Sequence, residues 1–278
     1  MTQRRRLDAD GAIALLHAVI AGDADAVIDL IGAESILDMP RLARAVGADG
    51  IGSSIAVARA AYPYELIDVR QHHAIETPNG VVVELRARLR DGGNEIALPL
   101  AVVDSVEDGN RTVRIYHSER ILTGVRRGRR AVFPVDEDAS PTLATHPGVR
   151  AYMEAIGTGD PDAILLRFAD DAVLDNGVRP VTDRGELRAI VTAMARSGGV
   201  RLVRRREFDD GSVVAFEYTG LPRPSSGPQA PRTPPGGGIG VYTVDARGRI
   251  VSVRMYDDFD PDALIVAGSQ TADSDHPT

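Results

Sequence analysis

The 278-residue sequence predicts an α+β fold of two tandem cone-shaped domains, each with three helices packed on a curved antiparallel sheet. An internal repeat is the first reason. Residues 22–38, GDADAVIDLIGAESILD, lie over residues 159–175, GDPDAILLRFADDAVLD, without a gap, matching at Gly22/Gly159, Asp23/Asp160, Asp25/Asp162, Ala26/Ala163, Leu37/Leu174 and Asp38/Asp175. A second echo sets VRIYH at 113–117 against VRMYD at 253–257. The offsets, 137 and 140, are nearly equal, as duplication of one unit requires. The other reason is the order of patterns within each copy, helical spacing first and then strands divided by turn residues.

In the first copy Ile13, Leu16 and Ile20 recur at spacings of three and four, which predicts a helix over about 8–21. Gly22 stops it, and Asp23 caps a second helix running to about Ile31. A short strand over 35–39 carries Asp38 and ends at Pro40, and a long helix follows over about 49–61. Strands are expected over 64–76, 80–90, 95–106 and 111–121, joined by Pro78-Asn79-Gly80, Asp91-Gly92-Gly93 and Asp108-Gly109-Asn110. The second copy predicts helices over 147–158, 161–169 and 184–196, with Asp175 on the short strand before the last. Its sheet strands are expected over 200–208, 212–219, 238–244 and 249–257. The resulting division is domain A over 1–122, a linker over 123–146, domain B over 147–266 and a disordered tail over 267–278. A Pro-, Gly- and Ser-rich insertion at 220–238 is expected to be a mobile loop, either a lid or an idle excursion.

The net charge of −8 argues against nucleic acid as the main partner, and the Arg126-Arg127-Gly128-Arg129-Arg130 cluster reads as a solvated linker patch. With no cysteine, disulfide and thiolate chemistry are excluded. No apolar run reaches signal-peptide or transmembrane length, so no membrane partner and a cytoplasmic location are expected. His72-His73 is a poor metal motif, since adjacent strand residues point to opposite faces. No metal, phosphate-binding loop or cofactor is expected. A sheet curved around a long helix encloses a deep apolar cone, which suits an apolar small molecule.

The order of elements, with Gly159-Asp160-Pro161-Asp162-Ala163, Phe168-Ala169-Asp170-Asp171-Ala172 and Asp175, resembles the SnoaL-like and ketosteroid-isomerase-like branch of the NTF2-like superfamily. Two such units in one chain look like the tandem type of the epoxide hydrolase/cyclases of polyether ionophore biosynthesis. That resemblance implies an acidic pair in each active cone, one member on the short strand before the long helix and one at the start of the first sheet strand. In the first copy these positions hold Asp38 and Glu65. In the second, Asp175 matches the first position, but Arg201 stands where the other acid should be. Tyr152, seven residues before Gly159, stands where ketosteroid isomerases place a hydrogen-bonding tyrosine. Tyr256 and Asp257 on the last strand are further candidates, the tyrosine as a catalytic group and the aspartate in substrate binding. Asp104, near a buried acid of the isomerases, His117, on the last strand of the first copy where it could face the cone, and Arg201 are also candidates for substrate binding.

Opening an epoxide with an internal hydroxyl needs a base for the attacking hydroxyl and an acid for the departing oxygen. Two carboxyls do this when one stays protonated, as burial and mutual repulsion favour. The bland readings remain beside this one: Asp38 as a turn cap, Glu65 as an exposed strand end, Tyr152 as a core tyrosine, Arg201 as the cation that keeps Asp175 ionised. Three functions are therefore expected in competition. The first is a cofactor-independent epoxide hydrolase/cyclase forming a cyclic ether from an apolar polyketide substrate. The second is a SnoaL-like polyketide cyclase or ketosteroid-type isomerase, and the third a non-catalytic binding or assembly module. NTF2-like units commonly pair through their sheets, so a pseudo-dimer within one chain, or a homodimer, is also expected.

Overall fold

The computed structural model describes residues 6–39, 42, 44–124, 132–133, 144–175, 178–196, 202–220 and 236–258. The basic cluster at 126–130, Arg201, most of the insertion and the tail over 267–278 lie outside the described residues. The chain divides into two compact units, Met1–Arg127 and Gly128–Thr278.

Unit 1 opens with α1 (Ala9–Ala21) and α2 (Ala24–Ile31). The repeated Gly-Asp is the joint between them. Gly22 adopts a left-handed conformation, φ 79°, that closes α1, and the Asp23 carboxylate accepts from the Ala26 N–H at 3.0 Å to start α2. Unit 2 repeats the device: Gly159, φ 70°, ends α5 (Pro147–Thr158), and Asp160 accepts from the Asp162 N–H to start α6 (Pro161–Leu165). The first repeat motif is thus a helix stop and start used twice.

The remaining elements of unit 1 are β1 (Ile36–Asp38), β2 (Arg44–Val46), α3 (Gly47–Ala61), β3 (Glu65–Thr77), β4 (Gly80–Asp91), β5 (Asn94–Glu107), β6 (Asn110–His117) and α4 (Glu119–Thr123). Those of unit 2 are β7 (Phe168–Asp175), β8 (Pro180–Val181), α7 (Arg184–Arg196), β9 (Leu202–Asp209), β10 (Val213–Gly220), β11 (Gly237–Val244) and β12 (Ile250–Tyr256). The sheet orders are β2-β1-β6-β5-β4-β3 and β8-β7-β12-β11-β10-β9, the same arrangement twice. Both units are α+β, with one strand order in both sheets.

Three expectations need correction. The sheets are mixed rather than antiparallel, because β1 runs parallel to β6 and β7 parallel to β12. The last strand of unit 1 stops at His117, where Ser118 turns the chain into α4. The second helix of unit 2 stops at Leu165 rather than 169, because Phe168 and Ala169 are buried as the start of β7, with Phe168 paired to Ile250. The short strands β2 and β8 escaped the pattern, being three and two residues long. Around the insertion, the Gly220 N–H donates to the Gly236 carbonyl at 2.7 Å, so the ladder holds the two ends together.

Each core fills the space between helices and the inner sheet face. In unit 1 Leu15, Ile51 and Ile55 from the helices meet Val83, Leu85 and Val102 from the sheet. In unit 2 Val149, Ile164 and Ile190 meet Val214, Phe216 and Val253. Alternation then assigns the other strand residues to the outer face, where Val82, Glu84, Val103 and Arg114 are nonetheless buried. No helix among the described residues is long and apolar enough to cross a membrane.

Candidate acid–base sites

Strand parity decides where the repeated aspartate points. Leu37 pairs with Val113, and both belong to the core beneath the helices. Asp38 and Arg114, the next pair in the same register, therefore face the outer side of the sheet. Both are fully buried, with Arg114 Nε 3.3 Å from Asp38 Oδ2 and Arg114 Nη1 2.5 Å from Glu107 Oε1. Unit 2 sets Asp175 opposite Arg254 in the same way, beside the inward pair Leu174 and Val253. Arg254 also donates to Thr243 Oγ1 and Ser252 Oγ. Each repeated aspartate thus matches a repeated arginine, the one in VRIYH and VRMYD.

Glu65 opens β3 at the opposite edge of the sheet. Its side chain is 65% exposed and pairs with Arg90 at 3.0 Å. The expected couple of Asp38 and Glu65 is not brought together, and neither enters the interior. Asp175 and Tyr152 are likewise divided, since Tyr152 packs inside with Phe168 and Tyr242. Asp104 does lie on the inner face, but both its oxygens are engaged. Oδ2 accepts from the Leu7 N–H at 2.7 Å and from Arg111 Nη2 at 2.6 Å, and Oδ1 from Arg111 Nε. Arg111 also donates to the Leu30 and Ile31 carbonyls at the end of α2, so this pair ties the N-terminal segment to a helix end. Among the described residues no group of three His, Asp or Glu side chains could hold a metal ion.

The interior of unit 2 holds a packed aromatic cluster. Tyr152 from α5 stands edge-on to Phe168 at 5.3 Å and tilted to Tyr242 at 5.8 Å, and Tyr242 stacks on Phe216 at 5.1 Å. Tyr218, 6.2 Å from Phe216, donates its hydroxyl to Asp257 Oδ2. Asp257 follows the last residue of β12, in step with the inward Val253 and Met255. Tyr256 takes the opposite parity, is buried, and pairs with Ile239 outside this core. Of the two neighbours, the aspartate reaches this cluster.

Two glycines make room for these groups. A Cβ at Gly238 would lie 2.7 Å from Asp257 Cβ and 3.0 Å from the Tyr218 hydroxyl, and one at Gly240 would lie 2.9 Å from the Tyr242 ring. The added methyl of Gly240→Ala has no free space. It is expected to lower unfolding stability by about 1–3 kcal/mol, read from the midpoint of a urea titration.

Burial pushes the Tyr152 hydroxyl well above its ordinary value. Tyr242 is pushed the same way by burial first, then by Tyr152 and the negative charge of Asp257. Both phenols therefore stay protonated across the physiological range. A carboxylate beside neutral phenols in an apolar interior can accept a proton while the phenols stabilise a developing oxyanion.

Unit 1 carries a different group at the matching position. His117 holds the place of Asp257 in the repeated pentapeptide and pairs with Leu100, a core residue, on the inner face. Its Nε2 is 3.7 Å from Glu119 Oε2, which accepts from the Tyr62 hydroxyl at 2.9 Å. The Tyr62 ring meets the imidazole edge-on at 5.9 Å and stacks with Tyr64 at 6.5 Å. The Tyr64 hydroxyl donates to the Leu122 carbonyl and is raised by burial, then by Asp91 and Glu119. Sequence reasoning named His117 but missed Glu119 and Tyr62, and in unit 2 it missed Tyr218 and Tyr242. The one usable signal was the second echo, whose final position differs, histidine in one copy and aspartate in the other.

The sequence profile of the SnoaL-like domain matches residues 149–253. A search of curated protein sequences finds no significant match. Similar solved structures include an uncharacterized cystatin fold protein from Novosphingobium aromaticivorans, 19% identical over 41% of this chain and 98% of that one, TM-score 0.34. Another is the epoxide hydrolase/cyclase-like enzyme SalBIII, described in pyran ring formation in polyether salinomycin, 21% identical over 39% and 86%, TM-score 0.33. An M. tuberculosis LEH-like epoxide hydrolase is 20% identical over 39% and 80%, TM-score 0.29.

Proposed function

From the premise that a SnoaL-like domain spans residues 149–253, we propose that this chain is a cofactor-independent acid–base enzyme acting on an apolar, polyketide-derived molecule at the aromatic cluster of unit 2. The reaction proposed is epoxide opening by an internal hydroxyl to give a cyclic ether. The observation that carries it is Asp257, bound by the Tyr218 hydroxyl beside the aromatic cluster of Tyr152, Phe216 and Tyr242.

In this reading Asp257 takes the proton of the attacking hydroxyl as its oxygen bonds to the epoxide carbon. The epoxide carbon–oxygen bond breaks, and its oxygen receives a proton from the Tyr242 phenol. Tyr242 is assigned the donor role because its ring stacks on Phe216, which packs against the Tyr218 that binds Asp257. Transfer from Asp257 back to Tyr242 resets both groups. The apolar walls keep competing water from the epoxide, so ring closure outruns hydrolysis.

A second reading is favoured by the pair of neutral phenols. Tyr152 and Tyr242 could stabilise an enolate while Asp257 moves a proton on carbon, as a polyketide cyclase or a ketosteroid-type isomerase would require. Incubation with a hydroxy bis-epoxide and, in parallel, with a β,γ-unsaturated cyclic ketone separates the two. Cyclic ether from the first supports epoxide opening, and conjugated enone from the second supports isomerisation. Binding of both without turnover of either leaves a ligand-binding module. Tyr242→Phe is expected to lower the rate of the supported reaction by about 100-fold, with a smaller change in KM.

A further inference from the structure

We propose that unit 1 carries a second acid–base site at His117, Glu119 and Tyr62, which binds the hydroxyl of an apolar alcohol or phenol and accepts its proton on the imidazole. The inference rests on the acid–base reading of the Asp257 site, because it takes His117 as the duplicate of that position. Three observations carry it. The echo VRIYH/VRMYD places His117 where Asp257 stands, and the two sheets share one strand order, so both groups leave the end of the last strand on the inner face. A tyrosine–carboxylate bond stands at each: Tyr218 donates to Asp257 itself, and Tyr62 donates to Glu119, whose Oε2 lies 3.7 Å from the imidazole of His117. The surroundings are apolar and aromatic in both, with Tyr62 edge-on to the imidazole and Tyr64 stacked behind it.

Packing alone does not account for this trio. A histidine that only filled space at the end of β6 would not need a carboxylate, 3% exposed, brought beside its Nε2 by the first residue of α4. Glu119 does for the imidazole what a neighbouring carboxylate does in any histidine base. At 3.7 Å from Nε2 it is close enough to stabilise the imidazolium that forms when a proton arrives. The chemistry differs from unit 2 in charge. A carboxylate that takes up a proton becomes neutral, whereas an imidazole that takes one up becomes a cation beside Glu119. The duplicated scaffold therefore offers two bases of different charge type, suited to two successive hydroxyl deprotonations on one class of substrate.

The test uses 2-naphthol, an apolar aromatic alcohol that becomes a strong acid on excitation and emits as naphtholate beside a base. The full chain is titrated by calorimetry and by fluorescence. The expected result is two equivalents bound, both contributing naphtholate emission. His117→Gln removes one equivalent and its emission, while Asp257→Asn keeps the emission from unit 1. Tyr62→Phe, which keeps the ring and its stacking, weakens the unit 1 equivalent by about 10-fold and guards against a His117 variant that folds poorly. Unchanged stoichiometry and emission in His117→Gln would overturn the proposal. So would absence of binding, or a single equivalent abolished by Asp257→Asn. Failure of the reaction reading appears separately, as no turnover of bis-epoxide or enone by the unaltered chain, and leaves the naphthol result to stand by itself.

Discussion

Asp257→Asn is expected to lower turnover on the productive substrate by about 1,000-fold, within the range that loss of a general base produces. The substitution removes the proton acceptor and little else. An amide oxygen can still accept from the Tyr218 hydroxyl, so the ring and the aromatic cluster keep their places. Replacing a charge-assisted bond with a neutral one alters stability by about 1 kcal/mol, a shift of about 2–4 °C in Tm. The matching control is Asp175→Asn, the aspartate that the internal repeat puts forward. It faces Arg254 on the outer side of the sheet and is expected to leave turnover within a few-fold of the unaltered chain. Steady-state rates on purified variants check both. If the Asp175 variant loses activity and the Asp257 variant keeps it, the aromatic cluster of unit 2 is not the reaction site.

The contrast between these aspartates explains what the sequence could and could not reveal. Helix caps and hairpins are local, so Gly22-Asp23, Gly159-Asp160 and the turns at Asn79-Gly80 and Asp108-Gly109 were legible from neighbouring residues alone. The duplicated aspartate was legible as a repeat, but its meaning was not. In Ile36-Leu37-Asp38 all three side chains are buried, so the strand offers no alternation from which to read a face. Only the register with Val113 and Arg114 shows that Leu37 takes the inward slot. The arginine that completes the pair was visible in the second echo, yet 76 residues separate it from Asp38, and a parallel pairing had not been expected. The candidate site of unit 2 draws Tyr152 from a helix, Phe168 from the first strand of its sheet, and Tyr218, Tyr242 and Asp257 from three others or their ends. No spacing rule joins groups so dispersed. The change of one parity step between Tyr256 and Asp257 decides which of two adjacent candidates faces inward.

Arg114→Met is expected to destabilise unit 1 by about 3–5 kcal/mol, a loss of about 10 °C in Tm followed by circular dichroism. Arg114 is the cation shared by Asp38 and Glu107, and all three side chains are almost wholly buried. Removing it leaves two carboxylates to repel each other away from water, while a methionine of similar length fills the space and keeps the apolar stem contacts. The loss would therefore be electrostatic, and a second variant can prove it. Adding Asp38→Asn and Glu107→Gln to Arg114→Met removes the repulsion and is expected to recover most of the stability, since neutral replacements of a buried ion network are often tolerated. If the triple variant is no more stable than Arg114→Met alone, lost packing rather than charge accounts for the effect. Recovery would give the repeated aspartate a structural reason to persist in both halves: Asp38 and Asp175 each meet an arginine across the one parallel ladder of their sheet, where the short strand joins the last. The chemistry of the two units is then free to diverge three residues further along, where one holds His117 and the other Asp257.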